Sequence, residues 1–259
     1  IVFAGGDSSE FSGECSSSSN LDLPDAQLDL LKALKKTGKP IVMLNFAGRA
    51  TVMNWENENL PAILQVWFGG SEAADAICDV LFGDKVPSGK LTASFPKAVG
   101  QLPLYYNHLN TGRPAEKWFS KFRSNYLDVD NDPLFPFGYG LSYTTFTYGD
   151  LTLDATSMTE SGKITATVKV TNTGNYDGTE VVQLYIRDMV GSISRPVKEL
   201  KGFERVSLKK GESRDVTFEI TADLLRYNSN IAYVCEPGEF QVMVGGDSRN
   251  VQTANFTLE

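Results

Sequence analysis

Two glutamates lie close together in a loop near the start of the sequence. Glu10 and Glu14 stand in FAGGDSSEFSGECSSSSNLDLPD, where a short apolar strand gives way to a glycine- and serine-rich run. The loop has little apolar surface to bury, so it either connects two elements or presents side chains to a ligand. A carboxyl group with a suitably shifted pKa can act as a general acid and base. Most glutamates are simply solvated, and the spacing alone leaves both interpretations open.

The glycines around this loop raise the question of a phosphate-binding turn. Gly5, Gly6 and Gly13 are not arranged as G-x-G-x-x-G, and no G-K-S or G-K-T follows the strand. We therefore interpret these glycines as residues that let the chain turn sharply.

The remaining residues with reactive side chains are few and scattered. Cys15, Cys78 and Cys235 are widely separated and odd in number, which indicates neither a disulfide framework nor a zinc site. His108 is the single histidine, so no cluster of histidines is available for a metal. We expect no metal and no cofactor.

Composition excludes several classes of partner. The chain has 259 residues, 41% of them hydrophobic, which is enough for more than one core. A formal net charge of -8 without any run of Lys or Arg argues against nucleic acid and against an anionic membrane surface. The longest apolar runs, IVMLNFAG and AILQVWFGG, are far shorter than the roughly 20 residues of a membrane span.

Strands and helices alternate over residues 1–95, which favours a mainly parallel α/β sheet. Strands are predicted at IVFAGG, PIVMLNF, AILQVWF and LTASFP, with helices from Pro24 and Asp25 to Gly38 and from Ser71 to Gly83. Cys78 is expected to be buried on the second helix. Ligands approach such sheets at the carboxyl ends of the strands, and the loop with Glu10 and Glu14 lies at such an end.

Residues 96–150 form a long connection rich in aromatic residues. They include Tyr105, Tyr106, Trp118, Phe119, Phe122 and Tyr126. Such side chains can stack on a sugar ring or be buried at a domain interface, and we favour burial at an interface.

Residues 151–259 alternate with a period of two, which predicts an all-β domain. The predicted strands are KITATVKVTNTG, EVVQLYIRD, KELKGFERVSL, RDVTFEI, IAYVCEPG, GEFQVMVGG and NVQTANFTLE. Seven short strands with turns at these intervals are typical of a two-sheet sandwich of the immunoglobulin or fibronectin kind.

The whole chain resembles a known family at several motifs. These motifs are SGECSSSSNLDLPDAQLDLLKALKKTGKPIVMLNFAGR, WFGGSEAADAICDVLFGDKVPSGKLTASFPKAVGQLPLYYNHLNTGRP, FPFGYGLSYTTF, TNTGNYDGTEVVQLYIRD and SRPVKELKGFERVSLKKGES. They resemble glycoside hydrolase family three β-glucosidases of the bacterial periplasmic type. The resemblance implies a partial α/β sandwich followed by a fibronectin type III-like domain.

The resemblance also implies a mechanism and a catalytic residue. Family members are retaining enzymes with two carboxylates at the scissile bond. An Asp nucleophile lies on an amino-terminal (β/α)8 barrel, and the second domain lends the acid/base Glu. Matching the motif assigns the acid/base to Glu14, with Glu10 as the second choice. Relatives commonly carry an Arg or Lys shortly after this Glu, whereas this chain has Ser16 to Ser19.

The sequence thus predicts the carboxy-terminal part of an exo-acting β-glucosidase, which is inactive without the barrel. Its expected partners are a β-glucoside or oligosaccharide substrate and the absent barrel domain, and the resemblance implies a periplasmic or secreted location. Because the chain begins within the strand at Ile1, we interpret it as a piece of a longer polypeptide. The alternative is a non-catalytic carbohydrate-binding or scaffolding module, since no nucleophile is present.

Overall fold

The computed structural model describes residues 1–7, 12–115, 120–229 and 232–259. The chain divides into two compact units, each made of several stretches. The first unit comprises Ile1–Lys85, Ala93–Leu104 and Tyr126–Phe135, and the second comprises Val86–Thr92, Tyr105–Asn125 and Pro136–Glu259. Within the described residues, no helix is long and apolar enough to cross a bilayer.

The first unit is organised on a short parallel sheet. Strand β2 (Val42–Phe46) lies between β1 (Val2–Gly6) and β3 (Ala62–Gln65), paired in parallel with both. The middle of β2 is buried, as expected for a central strand that is covered on both faces. The three predicted strands are therefore present, and their carboxyl ends lie at one edge of the sheet.

Two helices of the first unit precede and follow β2. Helix α1 (Asp25–Lys35) begins after Pro24, as predicted, and its Leu31 is fully buried. Lys32 and Lys35 lie in its last turn, where positive charge is favourable. Helix α2 (Asn54–Asn59) is short and polar and has no apolar period that would have predicted it.

Helix α3 (Ala73–Phe82) follows β3 and ends at Gly83, which has a left-handed conformation. Two details of the prediction are wrong. The residue before the helix is Glu72 rather than Ser71, without a side-chain cap. Cys78 is exposed, because the face that points to the sheet carries Ile77, and the next residue lies about 100° around the helix.

The predicted strand at LTASFP is also wrong. Only Phe95 makes a bridge, with Phe135, and no ladder forms. Phe95 is nonetheless fully buried, with its ring centroid 5.9 Å from that of Trp67 and 6.2 Å from that of Phe135. The apolar residue that suggested a strand is Phe95, whose side chain packs in the core without strand pairing.

The second unit is a β-sandwich. Its strands are β4 (Phe146–Tyr148), β5 (Thr152–Leu153), β6 (Ser157–Met158), β7 (Lys163–Asn172), β8 (Gly178–Asp188), β9 (Glu199–Leu208), β10 (Ser213–Thr221), β11 (Tyr227–Asn228), β12 (Tyr233–Val234), β13 (Gly238–Gly245) and β14 (Val251–Leu258), with helix α4 (Ala222–Leu225). One sheet has the order β10-β7-β4, with β5 also on β7, and the other has the order β6-β14-β13-β8-β9.

The core of the sandwich lies between these two sheets. Residues at alternate positions of β7, from Ile164 to Val170, pack in one cluster with buried residues of β8, β13 and β14. This alternation is the period-two signal of the sequence. The predicted α/β plus all-β fold class is confirmed. The segment IAYVCEPG is an exception, because its described residues contribute only β12, which pairs with β11 in a separate ribbon.

Two stretches from earlier in the chain belong to this second unit. Leu91 and Gly138 to Tyr139 exchange backbone hydrogen bonds of 2.8 Å, so residues 86–92 lie along residues 136–140. Tyr106 stacks on Phe137 with ring centroids 4.3 Å apart, which holds the start of the aromatic connection against this unit. We call residues 86–92 and 136–140 the paired strap. Trp118 and Phe119 lie outside the described residues.

A buried amide fixes the strap to the sandwich. The Gln183 side chain donates to the carbonyl oxygens of Gly138 (3.1 Å) and Gly246 (2.6 Å), and its own oxygen accepts from the Tyr185 hydroxyl (2.6 Å). All of its polar atoms are thus used where water has little access. The strap is therefore held by specific hydrogen bonds as well as by apolar packing.

Candidate active site

The loop that carries Glu14 begins where β1 ends. The backbone N–H of Asp7 donates to the carbonyl oxygen of Phe46, 2.7 Å away, so the start of the loop is held against the end of β2. Gly6 has a φ of +119°, and a Cβ added there would lie 2.1 Å from the Phe46 oxygen. Only glycine allows this close approach of the two strand ends.

Helix α1 also binds the backbone of Gly6, the last residue of β1. The Gln27 side chain accepts from the backbone N–H of Gly6 (2.7 Å) and donates to the Gly6 carbonyl oxygen (2.9 Å). One amide thus satisfies both backbone groups of the last strand residue. The position at which the loop leaves the sheet is therefore defined by α1 and β2 together.

Glu14 lies in a tight turn farther along the loop. Its neighbours Gly13 and Cys15 have φ values of 101° and 62°, and the backbone turns at Glu14 and Cys15. The Glu14 side chain is exposed. An exposed carboxylate on a turn that follows the carboxyl end of a parallel strand is accessible to a bound molecule. Glu10, the second choice, lies outside the described residues.

Arg49 joins the two sides of this loop. It follows β2, and its Nε lies 3.2 Å from the Oδ2 of Asp7, before the loop. Its Nη2 donates to the carbonyl oxygen of Ser16, 3.4 Å away, just after the turn. The ion pair between Arg49 and Asp7 is largely shielded from water, since the two side chains are 24% and 16% exposed.

The chain that returns from the loop is fixed to the same region. The backbone N–H of Val52 donates to the Leu21 carbonyl oxygen at 2.9 Å, and Asp22 and Val52 form a parallel bridge. Asn20 accepts from the backbone N–H of Asp22 at 3.0 Å. The segment from Arg49 to Val52 therefore supports the loop at two places.

The buried side-chain amide of Asn45 holds the segment that carries Arg49. Asn45, in β2, is fully buried and donates to the Thr51 hydroxyl (3.1 Å) and to the Gln65 side chain (2.6 Å). Gln65 in turn donates to the Ala47 carbonyl oxygen at 3.3 Å. These contacts connect the ends of β2 and β3 to the segment that carries Arg49.

One buried carboxyl lies near this support. Glu56 in α2 is 3% exposed, and burial raises its pKa, with a further increase from the charge of Asp22 and a decrease from that of Lys32. Because it is buried, Glu56 is not placed to meet a substrate as Glu14 is. Among the residues that the structure describes, no group of three or more His, Cys, Asp or Glu side chains could hold a metal ion.

The supporting residues were not identified from the sequence. Gln27 and Arg49 contact the loop across 21 and 33 positions of the chain, so no local spacing marks them. The Arg in NFAGR, directly after a buried strand, was the available signal, because that position shares an edge with the end of β1.

Comparison with known proteins identifies the family. The model of the glycosyl hydrolase family 3 C-terminal domain matches residues 1–143, which is more than half of the chain. The chain belongs to glycosyl hydrolase family 3. A fibronectin type III-like domain model matches residues 180–248, in the β-sandwich. The family and the two kinds of domain indicated by the sequence motifs are thus confirmed.

Relatives in family 3 include enzymes for two sugars. The chain is 50% identical to a periplasmic beta-glucosidase of Salmonella typhimurium, over all of this chain and 34% of that protein. It is 43% identical to a beta-xylosidase of Formosa agariphila, over all of this chain and 35% of that protein. The chain therefore spans about a third of the length of these family 3 relatives.

A solved family 3 structure has the same fold. The crystal structure of a beta-glucosidase from Listeria innocua in complex with glucose superposes with a TM-score of 0.93 at 41% identity. The match covers 99% of this chain and 36% of that one. The crystal structure of a mutant of that beta-glucosidase in complex with laminaribiose superposes with the same TM-score.

Proposed function

We propose that this chain is the acid/base part of a retaining, exo-acting β-glucosidase. The complete enzyme would remove terminal β-linked glucose from glucosides or short oligosaccharides. The observation that carries the proposal is the exposed Glu14 on a supported turn at the carboxyl edge of the sheet, in a chain whose relatives include beta-glucosidases.

In this mechanism Glu14 acts twice. It first donates its proton to the oxygen of the leaving group while a second carboxylate attacks the anomeric carbon. It then takes a proton from the water that hydrolyses the glycosyl-enzyme intermediate. The second carboxylate would be an Asp of a barrel domain outside residues 1–259, about 5 to 5.5 Å from Glu14 in the assembled site.

Three further proposals follow from the same relatives. Residues 1–259 are inactive alone, because one carboxylate cannot carry out both roles. The enzyme works in the periplasm or outside the cell, as the name of the Salmonella relative suggests. Separation of periplasm from cytoplasm, followed by an activity assay, tests this location.

The chain is divided into an α/β domain over 1–95, a connection over 96–150 and a fibronectin type III-like domain over 151–259.

The decisive experiment replaces Glu14 by Gln in the complete polypeptide. With phenyl β-glucoside, whose leaving group needs a proton, kcat/KM should fall by about 10²- to 10⁴-fold. With 2,4-dinitrophenyl β-glucoside, whose leaving group needs none, kcat/KM should fall far less, and azide should raise the turnover of the variant. Glu239→Gln, on the exposed surface of the sandwich, is the control.

The outcomes of this experiment separate the candidates. An equal loss on both substrates, or no loss, removes Glu14 from the acid/base role. The same substrate pattern in Glu10→Gln instead assigns the role to Glu10. Because a beta-xylosidase is among the relatives, the two 4-nitrophenyl glycosides of glucose and xylose should be compared. A higher kcat/KM on the xyloside would replace the β-glucosidase by a β-xylosidase.

A further inference from the structure

We infer that Arg49 is a positioning residue that orients the acid/base by joining both ends of the Glu14 loop. The inference rests on the proposed function, since it concerns how Glu14 is held. It goes beyond that function because it names the group, on a different segment of the chain, that fixes the loop.

Arg49 contacts one residue before Glu14 and one residue after it. Its Nε faces Asp7, the residue that follows β1, and its Nη2 faces the carbonyl oxygen of Ser16, directly after the turn with Glu14. Glu14 therefore lies, along the chain, between two residues, Asp7 and Ser16, that one guanidinium group connects. A planar guanidinium can form an ion pair through one edge, as with Asp7, and donate a hydrogen bond in another direction, as to Ser16, whereas the ammonium group of Lys is a single point of charge.

The surroundings make this connection effective. Arg49 and Asp7 are both mostly shielded from solvent, so their attraction is screened less than that of an exposed pair. The loop itself brings no positive charge, because Ser16 to Ser19 are all serines. Arg49 supplies that charge from the segment after β2, which is held by a hydrogen bond from the Val52 N–H to the Leu21 carbonyl oxygen of the returning chain.

The consequence concerns proton transfer. The acid must lie within hydrogen-bonding reach of the leaving oxygen, and a displacement of about 1 Å can cost about 100-fold in rate. Freeing Ser16 from Arg49 removes a restraint two residues from Glu14. The expected defect is therefore specific to steps that need the proton of Glu14.

The test uses Arg49→Met and Arg49→Lys in the complete enzyme. In Arg49→Met, kcat/KM for phenyl β-glucoside should fall by about 10- to 100-fold, and that for 2,4-dinitrophenyl β-glucoside by less than about threefold. Azide should raise the turnover of the second substrate, as in Glu14→Gln. Arg49→Lys should fall between Arg49→Met and the parent. Arg214→Met, which removes an exposed arginine of the sandwich, should change neither value.

The outcomes distinguish this inference from the proposed function. If Glu14→Gln does not discriminate between the two leaving groups, the proposed function fails, whatever Arg49 does. If Glu14→Gln discriminates and Arg49→Met loses activity equally on both substrates, or loses none, the positioning role is wrong. Should Arg49→Met fail to fold, Asp7→Asn keeps Arg49 and removes one of its anchors, and the same substrate comparison then decides the question.

Discussion

Gly6 occupies the most confined backbone position at the start of the Glu14 loop. A Cβ at this position would lie 2.1 Å from the oxygen of Phe46, and the φ of +119° is one that other residues rarely adopt. Its backbone is also bound by Gln27 on the far side. A side chain at this position must therefore move β1 away from β2 or break the contacts of the strand end.

Gly6→Ala should lower the free energy of unfolding by at least about 2 kcal/mol, because backbone strain adds to the collision with Phe46. Urea denaturation followed by tryptophan fluorescence measures it. Gly38→Ala is the control, since Gly38 has a φ of +71° but open space around it, and strain alone costs about 1 kcal/mol. Equal losses in the two variants would show that the contact with Phe46 contributes nothing.

For single residues, the sequence identifies a candidate catalytic side chain more readily than the side chains that hold its loop in place. Glu14 could be named because a motif surrounds it, whereas the spacing of the carboxyls alone did not separate an acid/base from a solvated side chain. Arg49 and Gln27 could not be named, since each acts across the sheet on a residue that is distant in sequence. Their role depends on parallel strand ends meeting at one edge, which is a property of the tertiary structure.

The paired strap is attached to the β-sandwich by a buried ion pair, which its sequence gives no reason to expect. Lys90 lies in it, 2.8 Å from Glu180 of β8 and 3.1 Å from the Gly140 carbonyl oxygen. The two side chains are only 15% and 8% exposed. Burial, followed by the charge of Glu180, raises the pKa of the adjacent Tyr148, which stays a neutral phenol. Lys90 is thus the charge that compensates Glu180 in this buried site.

Lys90→Met should destabilise the chain by about 3 kcal/mol, because Glu180 is left buried without its partner. The matched control is Lys163→Met, which removes one side of a solvent-exposed pair with Glu219 and should leave the free energy of unfolding close to that of the parent. Both are measured by urea denaturation. A cost for Lys90→Met as small as that of the control would mean that water reaches Glu180 in spite of its burial.

Long periodic elements were predictable, and short or tertiary-dependent ones were not. The strands β7 and β8 have many alternating apolar residues, so their signal is strong. The segments LTASFP and IAYVCEPG have strand-like composition, but a buried Phe95 and a two-residue ribbon account for them. Short strands such as β5 have too few residues to show any period, and α2 carries no apolar stripe.

Within the part of the chain that the structure describes, Glu14 is the one exposed candidate acid, and the chain spans about a third of the length of its relatives. We therefore expect residues 1–259, expressed alone, to hydrolyse 4-nitrophenyl β-glucoside no faster than their own Glu14→Gln variant. The complete polypeptide at the same concentration should give ready turnover. Activity of residues 1–259 that disappears in Glu14→Gln would instead place both carboxylates within this chain.

Stretches of the two units alternate along the chain, and this order limits which recombination events can keep each unit whole. The chain changes unit after residues 85, 92, 104, 125 and 135. A recombination event with a single breakpoint at residue 150 would transfer most of the sandwich but leave behind the strap and the aromatic stretch that belong to it. Because residues 93–104 and 126–135 belong to the first unit, a breakpoint before residue 86 would divide that unit as well. No single breakpoint within the chain therefore transfers either unit whole, and we expect the two units to be inherited together.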